Sequence, residues 1–213
     1  IGGWYASAMY TDLNNLDKHP LVQAAALRGE EVTFLSAGDT VPLGDALLRM
    51  LSPLQLFEDK EDNNSLVMML ESAQGRILLT GDIESPAEKL LLSSGADLKC
   101  DVLKVANHAD DDTNSPAFAQ ATSPKLAVIS TSTLEKPETP DSYVVHLLEQ
   151  VGAEVAVTQE ATGGLLVRLE DGTPALTRVD VPEGNTAVQL ADAVPQADLI
   201  HLTNTGGEEV DLS

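Results

Sequence analysis

Cysteine occurs once, at Cys100, and Lys plus Arg number only 12 against 34 Asp plus Glu. A lone thiol excludes an internal disulfide and any zinc site built on cysteines. Its position after Lys99 and before the apolar run from Val102 predicts a partly buried structural thiol. Aromatic residues are 3% of a 213-residue chain that is 43% apolar, so the core has to be aliphatic, made of Leu, Val, Ile and Ala. The shortage of basic side chains leaves a formal charge of −22. Such a surface repels a phosphate backbone and argues against nucleic-acid binding unless a metal offsets the charge; its plainest consequence is solubility. No apolar run approaches the ~18 residues of a membrane span. No signal peptide is visible in a chain that opens at Ile1 without a basic leader. The length allows one sizeable core, or one domain and part of another.

What is present is an alternation of strand and helix signals. Pro20 suits the first turn of a helix running to about Arg28, with Gly29 as its stop. Residues 31–35 alternate as a strand. Turns at Gly38-Asp39 and Gly44-Asp45 frame Val41-Pro42-Leu43, and residues 46–51, bracketed by Gly44 and Pro53, read as a strand in preference to a helix. Apolar runs at 65–70 and 76–80 flank Glu71 to Gly75 and predict a β-hairpin. Ser85 and Pro86 predict the N-cap and first position of a helix that Gly95 ends. A strand at 102–106 follows, then a helix opened by Asn114-Ser115-Pro116, a buried strand at 125–130, a helix from Pro140-Asp141 to Val151, and strands at 154–158 and 164–169. This alternation predicts the α/β class. After Glu170 the pattern decays. Residues 171–196, with Pro174, Pro182 and Gly184, read as a linker, and residues 197–213 restart with strand-like alternation and a Gly-Gly turn.

Two of these strands stop at residues that bind metals. Ile77 to Leu79 run into Gly81 and Asp82, and Val102 to Ala106 run into Asn107 and His108. A strand end fixes the backbone while the loop frees the side chain, which suits a metal site. Each candidate also has a plainer role. Asp82 could cap the Ser85 helix or make a turn, and His108 could be an ordinary loop histidine. Asp110, Asp111 and Asp112 could be further ligands or a solvated charge run. Asn64 and Ser65 could contact substrate or support the ligands, or cap a strand start. Lys104 is expected to be structural. His19 is expected to have no function, His146 to lie partly buried on its apolar helix, and His201 to be at the surface.

Several segments, in order, carry a family resemblance. Ile1-Gly2-Gly3 is similar to the tail of a histidine motif HxHxDH-IGG. Ala37-Gly38-Asp39, Leu43-Gly44-Asp45 and Leu51-Ser52-Pro53 resemble "aGd…lGd…vLsP". Asn63-Asn64-Ser65-Leu66-Val67 resembles "NNxSlV", and Leu79-Thr80-Gly81-Asp82 resembles "LLTGD". Asp101 to His108 resembles the first part of "DvLKvaHHGS", and Pro124 to Ser130 the strand "P..aviS". Together they resemble the metallo-β-lactamase-fold hydrolases of the competence-protein ComEC-like branch. The resemblance implies an αββα sandwich over residues 1–170, incomplete at its N-terminal part because the HxHxDH segment would end just before Ile1. It implies two divalent metal ions, zinc or manganese, with Asp82 bridging them and His108 as the late histidine ligand. It further implies cleavage of a phosphodiester or related ester by a metal-activated water, with a small-molecule or nucleotide-type phosphoester as substrate.

The chain departs from that pattern in two places. Asn107-His108-Ala109-Asp110 stands where the family has HHGS, and Glu138-Thr139-Pro140 stands where it has GHP. Which of Asn107 and His108 holds the ligand position is open. The losses motivate a second reading, a degenerate binding or scaffold module of the same fold without catalysis. Residues 197–213 resemble the opening of a lamin-tail-like immunoglobulin-type domain, which implies a larger secreted or cell-surface protein. The piece is expected to be inactive and poorly stable by itself.

Overall fold

The computed structural model describes residues 3–12, 16–132 and 137–180, and, as backbone alone, 188–194 and 199–204. It divides into two units, Ile1–Val179 and Asp180–Ser213.

The first unit is mixed α/β, with few helices around a central sheet. That sheet has seven strands in sequence order: β3 (Thr40–Leu43), β4 (Ala46–Ser52), β5 (Val67–Ser72), β6 (Gly75–Leu79), β7 (Val102–Lys104), β8 (Leu126–Ile129) and β9 (Glu154–Val157). The strands β3 to β6 pair antiparallel, with short turns joining β3 to β4 and β5 to β6 and a longer loop over residues 53–66 joining β4 to β5; β6 to β9 pair in parallel. Parallel pairing needs a crossover, and the sequence supplies one helix per step: α2 (Ser85–Ser94), α3 (Pro116–Thr122) and α4 (Ser142–Gln150). Outside this sheet, β1 (Trp4–Ser7) pairs in parallel with β2 (Val32–Leu35) around α1 (Pro20–Ala26). The hairpin β10 (Gly164–Glu170) and β11 (Thr173–Val179) closes the unit.

Period-two alternation sorts the strands' side chains onto two faces. Val67, Met69, Leu78, Leu103, Ala127 and Ile129 join Leu91, Phe118, Val144 and Leu148 of the helices in one core. Val102, Leu126 and Ala156, with Ile77 and Val128, face the opposite way and pack against Leu165, Val167, Leu169 and Leu176 of the hairpin. The core is aliphatic apart from fully buried Phe118, as the low aromatic content requires; each such side chain contributes roughly 1.5–3 kcal/mol on burial. Cys100 is buried there with Sγ 3.7 Å from Thr122 O, and burial pushes its thiol up to about 12.

Several expectations change. Residues 173–179, placed in the linker on composition, form β11, because Pro174 and Leu176 alternate as its inward face against β10. Residues 4–7 form a strand that no turn or period announces. Ser85 is not the cap of α2. Glu84 holds the N-cap position, and Asn63 supplies the side chain, its Oδ1 accepting from Glu84 N at 3.0 Å and Ala87 N at 3.3 Å. Ser115 and Asp141 do cap α3 and α4. His146 is exposed and meets Gln150, because its turn of α4 faces water while Val144, Leu147 and Leu148 face the core. In the second unit, β12 (Val188–Val194) pairs antiparallel with β13 (Leu199–Asn204), which includes the backbone of His201. Most of the segment resembling a lamin-tail opening lies outside the described residues.

Candidate functional site

Because β6, β7 and β8 are parallel, their C-terminal ends share one edge of the sheet, the edge at which α/β folds assemble sites. Asp82 follows β6, His108 follows β7, and Ser130 follows β8. The His108 ring is fixed by this edge: Nδ1 lies 2.5 Å from Ser130 O. A carbonyl only accepts, so in the neutral imidazole Nδ1 carries the proton and Nε2 keeps the lone pair. That Nε2 faces Asp82 Oδ1 at 3.8 Å. Two ligands of a tetrahedral ion with bonds of ~2.0–2.1 Å lie roughly 3.3 Å apart, and backbone-oriented histidine is the usual support for ligation. The 3.8 Å spacing of the pair is close to that of two ligands of one ion. Among the described residues no group of three or more His, Cys, Asp or Glu side chains converges, so the pair is two donors of the three or four that zinc requires.

The loop holding His108 is strained and strongly tied down. Asn107, His108 and Ala109 have φ of 41°, 57° and 64°, a conformation that costs non-glycine residues about 1–3 kcal/mol each. Several bonds hold it. Asn107 N donates to Gly81 O, Asp141 N to Ala109 O, and Ser85 N and Oγ both donate to Asp112 O. From α2, the fully buried Glu88 accepts the N–H groups of Asn114 and Ser115. Burial pushes the Glu88 carboxyl above its ordinary range, although those two donors oppose the shift.

The other sequence candidates take supporting places. Ser65 Oγ accepts Asp82 N–H at 3.3 Å, and Gly81 allows this approach, since a Cβ there would lie 2.7 Å from Ser65 Cβ. Asn64 clamps the backbone of Phe57, accepting from its N–H at 2.8 Å and donating to its carbonyl at 2.9 Å. It also lines a cavity of about 360 Å³ with Met9, Tyr10, His19 and Phe57. Asn107 reaches the Asp82 loop through its backbone. Asp110 shapes a turn: Oδ1 accepts Asp111 N–H and its carbonyl accepts Thr113 Oγ1–H. Asp112 meets Lys60 at 3.6 Å, and Lys60 meets Glu84 at 2.6 Å.

Lys104, expected to be structural, stands beside Asp82. Its Nζ lies 3.6 Å from Asp82 Oδ1 and donates to Gly81 O at 3.2 Å. Burial pushes the ammonium's pKa down, with the Asp82 carboxylate opposing. The available signal was a charged residue at the last position of an otherwise apolar strand.

Comparison with known proteins places relatives beside this geometry. No family model matches the chain. It is 29% identical over 140 residues to ComE operon protein 3 of Bacillus subtilis, covering 66% of this chain and 18% of that protein. It is 34% identical over 101 residues to the uncharacterized protein YcaI of Escherichia coli K12, covering 47% and 13%. It is 25% identical over 126 residues to Recombination protein 2 of Haemophilus influenzae, covering 59% and 16%. The chain thus spans less than a fifth of the length of these curated relatives. Among solved structures, CmlA of Streptomyces venezuelae, a diiron β-hydroxylase, overlays 84% of this chain and 40% of its own at 10% identity and a TM-score of 0.49. A likeness of that size carries no chemistry across. Among the described residues no helix is long and apolar enough to cross a membrane.

Proposed function

We propose that this chain is part of a metal-dependent hydrolase of phosphodiesters or related esters, with the αββα architecture its motifs imply. The observation that carries this reading is the facing of Asp82 Oδ1 and the lone pair of His108 Nε2, 3.8 Å apart on adjacent strand ends. Asp82 and His108 would hold divalent metal, zinc or manganese, as two of the donors such a site needs. When bound, such ions supply a water of lowered pKa and offset the charge of a phosphoester. The chain's own contribution is orientation. Ser130 fixes the His108 tautomer, Ser65 holds the Asp82 backbone, and the Glu88 anchor keeps the strained loop in place.

A second reading, a scaffold module without catalysis, is favoured by one observation: Asp82 already has an ammonium, Lys104, beside it. Metal content separates the two. The full-length protein, purified without chelator, is expected to carry about two equivalents of divalent metal, lost in Asp82→Ala. A metal-free wild type would establish the scaffold reading instead.

A further inference from the structure

Lys104 shares its target with His108. Its ammonium and the His108 Nε2 both face the same Asp82 oxygen, at 3.6 and 3.8 Å. The stem leaves β7 between Leu103 and Val105, both fully buried, so the base of the side chain is fixed, while the side chain as a whole is 26% exposed. Gly81 O, at 3.2 Å, gives that end a hydrogen-bond acceptor other than the carboxylate. The chain has only 12 Lys and Arg to place among 34 Asp and Glu, and one of them stands on the carboxylate that faces His108.

An ammonium beside a carboxylate makes a unit of no net charge. A divalent ion approaching that unit meets repulsion from Lys104 as well as attraction from Asp82. We propose that Lys104 is a built-in counter-cation, which holds Asp82 in place when metal is absent and is exchanged for the metal when metal binds. This inference rests on the metal-hydrolase reading above.

Exchange and simple packing predict opposite signs. Under exchange, Lys104→Met removes a competitor, so metal binds more tightly, while the metal-free protein loses a partner for Asp82 and melts lower. Under a packing role, both properties worsen together. The test is Mn²⁺ affinity of the full-length protein, read by competition with a chromophoric chelator, beside thermal melts in excess chelator. Lys104→Met is expected to bind Mn²⁺ at least about tenfold more tightly, about 1.4 kcal/mol, and to recover its melting temperature when Mn²⁺ is added. Lys104→Arg, which keeps the charge, is expected to bind no more tightly than wild type. Affinity in Lys104→Met equal to or weaker than wild type overturns the proposal. Should that variant not fold, Lys104→Gln is the second; failure of both to fold with Mn²⁺ present also overturns it, because the ammonium would then be part of the fold. Absence of Mn²⁺ binding in wild type and variants alike refutes the metal-hydrolase reading itself, a result distinct from wild-type binding that the substitution leaves unmoved.

Discussion

Asp101 and Asp82 stand at opposite ends of the parallel strands, each with a lysine beside it, and their surroundings differ in kind. Asp101 precedes β7. Its Oδ2 accepts Arg76 N–H at 3.0 Å and its Oδ1 meets Lys125 Nζ at 2.8 Å. Lys125 continues to Gly172 O at 2.5 Å and so ties the hairpin turn to the sheet. Gly75 is required there, because a Cβ would come within 2.6 Å of Asp101 Oδ2. Burial disfavours the Asp101 charge, but Lys125 and Arg76 outweigh it and hold the carboxyl below its usual range. Asp82 follows β6 with its side chain 44% exposed, and its cation and imidazole stand off at 3.6 and 3.8 Å. One aspartate is saturated by the fold and the other is left with lone pairs to give. Strength of bonding marks the structural carboxylate; its slackness, beside an oriented imidazole, marks the candidate ligand.

The largest effect that would sharpen this contrast lies at the anchor behind the site. Glu88→Ala removes the acceptor for two buried N–H groups and is expected to cost about 3 kcal/mol in urea denaturation. A loss below about 1 kcal/mol would show that the loop stands without it. The pH dependence carries a sign of its own. Burial raises Glu88 above its ordinary 4.5, so the folded chain keeps a proton that the unfolded chain releases. This contribution is full below 4.5 and declines as pH rises through the folded value. Glu88→Gln is expected to flatten that decline.

Asp101→Asn comes next, at about 2 kcal/mol for the charged hydrogen bonds it weakens. Its sign is the reverse. Asp101 titrates below its ordinary 3.8, so its contribution is present above 3.8 and lost as pH falls through the folded value. The variant is expected to show a shallower acid limb in the same denaturation series. The smallest effect is expected at Asp82→Asn, under about 1 kcal/mol in chelator, as befits a half-exposed ion pair. A loss there as large as at Asp101 would break the comparison and make Asp82 a structural residue.

The legible part of this fold was its local part. Apolar runs and their spacing gave the hairpin of β5 and β6 and the buried strands β7 and β8, and the bracketing Gly44 and Pro53 gave the choice of strand at 46–51. Side-chain chemistry gave the caps at Ser115 and Asp141, which bond within their own helices. What stayed hidden depends on partners distant in sequence. Asn63 caps α2 from across a loop, Glu88 holds a loop 26 residues away, and β1 pairs with β2 beyond an intervening helix. Strand position indicates which face Lys104 takes but not that Asp82 waits at the strand's end. In β11 the proline and polar residues imitate a linker, and only the pairing with β10 reveals a strand.

The pairing of the parallel strands has a consequence for how the centre fails. Leu79 is level with Lys104, and Lys104 with Val128. Those alignments decide where Asp82, His108 and Ser130 emerge. A slip of one residue moves a strand by about 3.3 Å, nearly the whole 3.8 Å between Asp82 and His108. The backbone ladder therefore serves as the ruler for the side chains above it. A substitution deep in β6 or β7 that shifted this ladder by one rung would disable the centre with every residue of the centre still in the sequence.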